Sequence, residues 1–187
     1  MADRLFLAVF PPDDVTAALE RFVEPRRDLT RPWRWTVAEN WHVTLAFLGD
    51  VDAARQDPLA ERLADVARTT APFRLALAGG RALPNPRAAR VLALGATAGA
   101  DELTHLAKRV RAACSGAGVP PDGARFLPHL TLARVNRGAS ARAVLEVADS
   151  FGEFAWDVPG FALVSSTLNR AGSRYEAVGR FGFASVS

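Results

Sequence analysis

Two stretches of the chain carry a histidine and a threonine in the same order, two residues apart. One is "NWHVTLAFLGD", with His42 and Thr44, and the other is "PHLTLARV", with His129 and Thr131. The residues around each pair are apolar and typical of β-strands. Because side chains i and i+2 of a strand project from the same face, each strand presents an imidazole beside a hydroxyl.

Two such pairs facing one another suit a reaction in which one proton is removed and another is delivered. Histidine titrates near neutrality, so one imidazole can act as the base and the other as the acid. Threonine hydroxyls can donate hydrogen bonds to anionic oxygens, and an anion held between the pairs stabilises a protonated imidazole. Cleavage of a phosphate ester uses all of these groups and requires no metal ion. The spacing therefore predicts one phosphate-ester site shared by the two strands.

Other interpretations of the histidines are weaker. A single His-x-Thr in a strand is more often a hydrogen-bonded core histidine, and it is the repetition that favours a shared site. A zinc site is disfavoured because the chain has three histidines and one cysteine, without the clustered spacing of zinc ligands. The third histidine, His105, falls on the surface of a predicted helix. The chain also lacks a "GxSxG" elbow and the Gly-Lys-Ser or Gly-Lys-Thr ending of a phosphate loop, and we expect no metal ion and no cofactor.

The elements that must position these residues alternate irregularly between strand and helix, which predicts an α+β or mixed α/β fold. One helix is expected to begin with Asp57 as N-cap and Pro58 at its first helical position. The first motif strand is expected to end at Gly49, and residues 79–90 to form a loop. The predicted strands cover residues 4–10, 33–37, 42–48, 73–78, 91–95, 129–135, 154–156, 161–168 and 174–181. Four helices are predicted: the first begins at residue 13 or 14, and the others cover residues 57–70, 101–114 and 140–151.

The chain repeats itself at a fixed interval. His129 lies 87 positions after His42, and the same shift places Leu5 on Leu92 and Asp14 on Asp101. A strand, a helix and a motif strand therefore recur in one register across residues 4–48 and 91–135. We infer an internal duplication, and hence a single bilobal domain over residues 1–187 with two lobes related by an approximate two-fold axis.

Composition excludes several classes of protein. The chain of 187 residues is 49% hydrophobic and 23% charged, and no apolar run approaches a membrane span. The N-terminal segment is not typical of a signal peptide, and the single cysteine, Cys114, fits a packing role in a reducing compartment. All but one of the 23 basic residues are arginine, yet the net charge of +3 does not by itself indicate a nucleic-acid partner. We expect a cytoplasmic monomer without membrane attachment.

The two motifs resemble those of the two-histidine (2H) phosphoesterase superfamily, which is defined by paired H-x-[T/S]-x motifs. The closer resemblance is to its RNA 2′,3′-cyclic phosphodiesterase branch, also called 2′-5′ RNA ligase-like. Four stretches carry it: "RLFLAVFPP", "NWHVTLAFLG", "FLPHLTLAR" and "SSTLNRAGSRYEAVGRF". The resemblance spans nearly the whole chain, although residues 50–125 match only in general pattern.

This resemblance implies both a fold and a reaction. The fold is a bilobal α+β domain, with mainly antiparallel sheets flanking a central cleft and helices on the outside. The reaction is a metal-independent hydrolysis of RNA or nucleotide 2′,3′-cyclic phosphate ends to 2′-phosphomonoesters. By similarity to the family, His42 is the proton donor to the leaving 3′ oxygen, His129 is the proton acceptor from water, and Thr44 and Thr131 hold the phosphate oxygens. Spacing alone does not assign the acid and the base, because the two halves are nearly equivalent.

Two further kinds of residue are candidates for substrate contact. Arg134 belongs to the "PHLTLAR" stretch, but it lies five positions after His129, so strand alternation predicts that it faces the opposite side unless a bulge intervenes. Four aromatic side chains are candidates for stacking on a base, and for each of them packing in the core or at the rim is the competing explanation. They are Trp33, Trp35, Trp41 and Tyr175.

Two other functions remain open from the sequence. One is a 2H phosphoesterase that acts on another nucleotide, such as a 2′-5′ linked oligonucleotide or ADP-ribose cyclic phosphate, or that ligates RNA in the reverse direction. The other, of a different class, is a non-catalytic module that binds RNA or nucleotides. The presence of both histidines disfavours the second, because binding alone could use arginine or lysine at those positions.

Overall fold

The computed structural model describes residues 2–27, 32–169 and 172–184. These residues form nine β-strands and four α-helices. The strands are β1 Ala2–Val9, β2 Arg34–Trp35, β3 Val43–Asp52, β4 Phe73–Leu83, β5 Ala89–Ala98, β6 His129–Ala139, β7 Phe154–Val158, β8 Gly160–Asn169 and β9 Gly172–Gly182. The helices are α1 Asp13–Val23, α2 Ala53–Arg68, α3 Ala100–Gly116 and α4 Arg142–Asp149.

The strands pair in the order β7-β4-β5-β6-β3-β1-β8-β9, with β2 attached to β6. Every pairing in this order is antiparallel. The predicted α+β fold with antiparallel strands is therefore confirmed. The two halves of the sheet meet where β3 pairs with β6, and this junction has a single registered pair, Val43 with Leu130.

The element bounds repeat at the interval of the motifs. The starts of β1 and β5, of α1 and α3, and of β4 and β8 all lie 87 residues apart, and those of β3 and β6 lie 86 apart. The halves also exchange a strand, since β4 pairs with β5 and β8 pairs with β1. Each lobe is thus built from both halves of the chain, which holds the two motif strands against one another.

The core lies between the helices and one face of the sheet. Buried leucines of the strands, such as Leu5 and Leu92, belong to the same cluster as Leu19 of α1 and Leu106 of α3. Cys114 is fully buried in this cluster, as its predicted packing role requires. The opposite face of β1 and β8 carries a separate small cluster, formed by Phe6, Ala8, Ala162 and Val164 with Phe10 and Tyr175 packed against it. Among the described residues, no helix is long and apolar enough to cross a membrane.

Several predicted boundaries were wrong, including the end of the second motif strand, because β6 continues to Ala139. The strand β3 continues through Gly49, whose φ of 66° is accessible to glycine without strain, and ends at Asp52. Helix α2 therefore begins at Ala53 rather than after Asp57, and Pro58 lies inside it. Pro58 is the sixth residue of α2, where it removes the hydrogen bond to the Ala54 carbonyl and its ring crowds that carbonyl, and the buried face of the helix offsets this cost. The predicted loop 79–90 is shorter, because β4 extends to Leu83 and β5 begins at Ala89.

Candidate active site

The junction of the two motif strands determines where the motif side chains point. Val43 of β3 lies opposite Leu130 of β6, and both are buried in the core. Successive side chains of a strand alternate between the two faces of a sheet. The motif histidine and threonine on either side of Val43 and of Leu130 therefore lie on the face away from the core. All four motif side chains are half-buried there.

The register also determines which motif residues are neighbours. Because the strands are antiparallel, the pairing of Val43 with Leu130 places His42 beside Thr131 and Thr44 beside His129. Residues directly opposite in an antiparallel pair have Cβ atoms about 5 Å apart. Each imidazole thus lies next to the hydroxyl of the other strand, and the four groups surround one small volume.

Backbone carbonyls orient both imidazoles in the same way. Nδ1 of His42 lies 2.7 Å from the carbonyl oxygen of Asn40, and Nδ1 of His129 lies 2.7 Å from that of Leu127. A carbonyl oxygen only accepts hydrogen bonds, so Nδ1 must carry the proton in each ring. In the neutral imidazole the lone pair is then on Nε2, the nitrogen that is free to meet a substrate.

Aromatic rings enclose His42. Its ring centroid lies 5.0 Å from that of Phe6, 5.8 Å from that of Phe10 and 5.5 Å from that of Tyr175. The Tyr175 ring is nearly perpendicular to the imidazole and also contacts Phe6 at 4.9 Å. The first motif histidine is therefore removed from water on one side, by the small cluster on the cleft face of β1 and β8.

Burial lowers the pKa of both histidines. The pKa of His42 falls from 6.5 to about 4, mainly because burial disfavours the charged imidazole, although its hydrogen bond to Asn40 acts in the opposite direction. The positive charge of Arg134 and the other imidazole lower it further. The pKa of His129 is lowered by burial and by Arg134. Both imidazoles are therefore mostly neutral at pH 7 in the free protein.

A β-bulge turns Arg134 onto the face of the motif residues. Leu92 of β5 pairs with Ala133 of β6, and the next residue, Ala93, pairs with Thr131. Leu132 therefore has no partner in β5 and is the extra residue of the bulge. An extra residue reverses the alternation beyond it. Arg134 therefore shares the face of Thr131, and its Nη2 lies 3.5 Å from the Thr131 hydroxyl oxygen. The expectation that Arg134 faces away was wrong, and the bulge is the physical reason.

The equivalent bulge in β3 presents a different side chain. Leu7 of β1 pairs with Ala46 of β3, and Ala8 pairs with Thr44, so Leu45 is the extra residue. Two residues after it, Phe47 has the position that Arg134 has in β6. Phe47 is 48% exposed, and its ring lies 6.0 Å from that of Phe6. Sequence reasoning missed Phe47, although the shift of 87 residues pairs it with Arg134. One lobe thus offers a guanidinium to the cleft and the other an aromatic ring.

A cavity adjoins the aromatic side of the cleft. Its volume is about 640 Å³, which is within the usual range of ligand pockets. Phe6 and Tyr175 separate it from His42, so the cavity lies beside the motif histidines and is not centred on them. Its lining consists of Arg4, Leu5, Phe6, Phe47, Leu48, Gly49, Pro120, Pro121, Asp122, Ser166, Ser173 and Tyr175.

The other candidate residues have varied positions. Trp33 and Trp41 are buried in the core, which leaves them unavailable for stacking on a base, whereas Trp35 is half-buried in β2. Tyr175 is half-buried beside His42 and lines the cavity. His105 is exposed on α3, as predicted. Among the described residues, no three His, Cys, Asp or Glu side chains are grouped in a way that could hold a metal ion.

The chain is similar to known proteins over nearly its whole length. The family model of the 2′-5′ RNA ligase superfamily matches residues 11–170. The chain is 31% identical over 182 residues to an RNA 2′,3′-cyclic phosphodiesterase of Aquifex aeolicus, covering 95% of this chain and 96% of that protein. It is 37% identical over 187 residues to a protein of the same name from Thermus thermophilus, covering 95% of this chain and 89% of that protein. The crystal structure of E. coli LigT complexed with 3′-AMP superposes with a TM-score of 0.77 at 26% identity, covering 99% of this chain and 100% of that one.

Proposed function

Because this chain belongs to the 2′-5′ RNA ligase superfamily, as its motifs predicted, we propose that it is an RNA 2′,3′-cyclic phosphodiesterase. It is a phosphoric diester hydrolase that opens the cyclic phosphate end of an RNA or nucleotide to a 2′-phosphomonoester. The observation that carries this proposal is the convergence of two identically oriented imidazoles and two hydroxyls on one face of the β3–β6 junction.

In the proposed reaction, the cyclic phosphate lies between the two imidazoles. Nε2 of His129 removes a proton from a water molecule, whose oxygen forms a new bond to phosphorus. The bond from phosphorus to the 3′ oxygen breaks, and that oxygen takes a proton from Nε2 of His42, which leaves the 2′ ester intact. These roles follow the family resemblance, and the backbone hydrogen bonds at Nδ1 leave both Nε2 atoms free for them. Groups of this kind each contribute about 100-fold to 10,000-fold in rate.

Three further groups bind the phosphate in this proposal. The hydroxyls of Thr44 and Thr131 donate to its non-bridging oxygens. The guanidinium of Arg134, which lies beside the Thr131 hydroxyl, donates to the same oxygens and stabilises the charge of the transition state. No metal ion is needed, because proton transfer and charge stabilisation are both supplied by side chains.

The proton donor must acquire its proton when substrate binds. His42 is mostly neutral at pH 7 in the free protein because of its lowered pKa. An anionic phosphate next to the ring favours the imidazolium and raises the pKa again. The proposed roles therefore require that His42 takes up a proton when substrate binds and that His129 is neutral as the base.

The aromatic side of the cleft suits the nucleoside. The 3′ oxygen that His42 protonates belongs to the ribose, so the ribose and its base lie on the His42 side. There the cavity offers the rings of Phe47 and Tyr175, and aromatic stacking on a base tolerates any sequence.

A turnover assay with cyclic nucleotides tests the proposal. The wild type is expected to open 2′,3′-cyclic AMP, and to leave 3′,5′-cyclic AMP, which has no strained five-membered ring, unchanged. A His42→Ala and a His129→Ala variant, each with wild-type thermal stability, provide the controls. Absence of turnover on every 2′,3′-cyclic nucleotide would overturn the enzymatic proposal and favour a binding module instead.

A further inference from the structure

A second arginine reaches the cleft face by another bulge. In β4, Ala78 pairs with Gly95 and Gly80 with Leu94, so Gly79 is the extra residue, and its φ is +68°. A glycine in this conformation is typical of one bulge type, and the bulge reverses the alternation beyond it. Gly80 then faces α4, where its amide donates to the Asp149 carboxylate at 2.6 Å.

The next residue, Arg81, consequently projects to the opposite face, which carries the motif residues. Its guanidinium lies over Gly95, because a Cβ built on this glycine would be 2.9 Å from Nε and 3.1 Å from Nη2. Gly95 is paired with His129 across β5 and β6, and paired residues share a face. The guanidinium of Arg81 therefore lies next to the His129 side of the cleft, over a position where only glycine leaves room for it.

Among the residues that the structure describes, no carboxylate neutralises the charge of Arg81. The side chain is exposed, and it belongs to none of the ion pairs of the described residues. Its one hydrogen bond to the described residues is from Nη1 to the neighbouring carbonyl of Gly80, at 3.0 Å, so most of its N–H groups have no partner among them. Arg134 lies on the motif strand β6 beside the Thr131 hydroxyl, whereas the guanidinium of Arg81 lies over Gly95 on the neighbouring strand β5, further from the β3–β6 junction.

We propose that Arg81 binds a second phosphate of a polynucleotide, one nucleotide away from the reacting phosphorus, on the His129 side of the cleft. This inference rests on the proposed function, and it adds the residue by which the enzyme distinguishes an RNA from a mononucleotide. The phosphate has two sources with the same chemistry. One is the upstream part of the strand that carries the cyclic end, which must then pass from the ribose on the His42 side across the cleft to Arg81. The other is a second segment attached through a 2′-5′ bond, which lies directly on the side of His129.

The experiment compares kcat/KM for substrates with and without a second phosphate. The substrates are 2′,3′-cyclic AMP, a trinucleotide with a 2′,3′-cyclic phosphate end, and a 2′-5′ linked triadenylate. The readout is the ratio of kcat/KM for each oligonucleotide to that for the mononucleotide. Arg81→Gln removes the charge, and Arg81→Lys retains it without the planar fork. Arg142→Gln is the matched control, because Arg142 lies on the exposed surface of α4 and changes the net charge equally.

Arg81→Gln is expected to lower one of the two ratios by about tenfold or more, as loss of a charge-assisted hydrogen bond does. The affected oligonucleotide identifies the source of the phosphate. The affected ratio in Arg81→Lys should lie between those of Arg81→Gln and the wild type. In Arg81→Gln, the slope of the logarithm of this ratio against the logarithm of salt concentration should be smaller by about one, as expected for the loss of one phosphate contact. Unchanged ratios, or an equal fall in Arg142→Gln, would overturn the inference. Failure of the wild type on the mononucleotide would instead count against the proposed function.

Discussion

The burial of His42 has a consequence for stability that acid titration can measure. In the folded protein the pKa of His42 is lowered from 6.5 to about 4, chiefly because burial disfavours the charged imidazole. In the unfolded chain the ring is solvated and regains its ordinary pKa. Between these two pH values the unfolded chain binds a proton that the folded protein does not. The free energy of unfolding therefore decreases as the pH falls through this window.

The size of the effect follows from the two pKa values. At about pH 5, His42 is protonated in the unfolded chain and almost neutral in the folded protein, which gives a loss of about 2 kcal/mol relative to about pH 8. His42→Asn removes the titration, and its amide can still donate to the Asn40 carbonyl. We therefore expect the variant to lose about 2 kcal/mol less than the wild type between these pH values.

Urea unfolding, followed by tryptophan fluorescence at both pH values, measures the free energies of unfolding. Comparing each protein with itself across pH removes any effect of the substitution that does not depend on pH. His105→Asn, at an exposed position of α3, controls for the removal of a histidine as such. Equal losses in the wild type and His42→Asn would show that enclosure does not keep His42 neutral. Proton uptake on substrate binding would then lose its basis.

Three further predictions concern the reaction itself. His42→Ala and His129→Ala should each lower kcat by about 100-fold or more in steady-state assays, because each removes one proton transfer, and full activity in either variant would place the site elsewhere. Thr44→Val and Thr131→Val should mainly raise KM, if the hydroxyls hold the phosphate equally in the ground and transition states; a fall in kcat at constant KM would contradict this. The pH profile of kcat/KM should be bell-shaped with its maximum below pH 6.5, since the pKa of both histidines is lowered, and Arg134→Met should move both limbs to higher pH by removing a positive charge. A maximum above this pH in the wild type, or unmoved limbs in the variant, would contradict the electrostatic argument.

Strand alternation predicted the central part of the site from the sequence. The spacing of His42 and Thr44 requires that they share a face, and the repeat at His129 and Thr131 predicts a matching pair. Alternation is a local geometric rule, and it holds here because each pair lies before the bulge of its strand. The general α+β architecture could also be predicted from the sequence, since it depends on the periodicity of apolar residues.

The position of Arg134 could not be predicted in the same way. It depends on a single extra residue, Leu132, whose apolar character is the same in a regular strand and in a bulge. The enclosure of His42 by Phe6 could not be predicted from the sequence either, for a related reason. Residues 5–9 of β1 are all apolar, so composition does not decide which of them face the helices and which face the cleft. Sheet pairing decides this, and pairing is a property of the whole fold.

The central claim is that the four motif side chains open a cyclic phosphate by acid–base chemistry without a metal ion. Phosphorus NMR of the products from an RNA with a 2′,3′-cyclic phosphate end, incubated with the enzyme in excess EDTA, tests it most directly. We expect complete conversion to the 2′-phosphomonoester, because His42 protonates the 3′ oxygen. A 3′-phosphomonoester, or a loss of turnover that one divalent ion restores, would contradict the account.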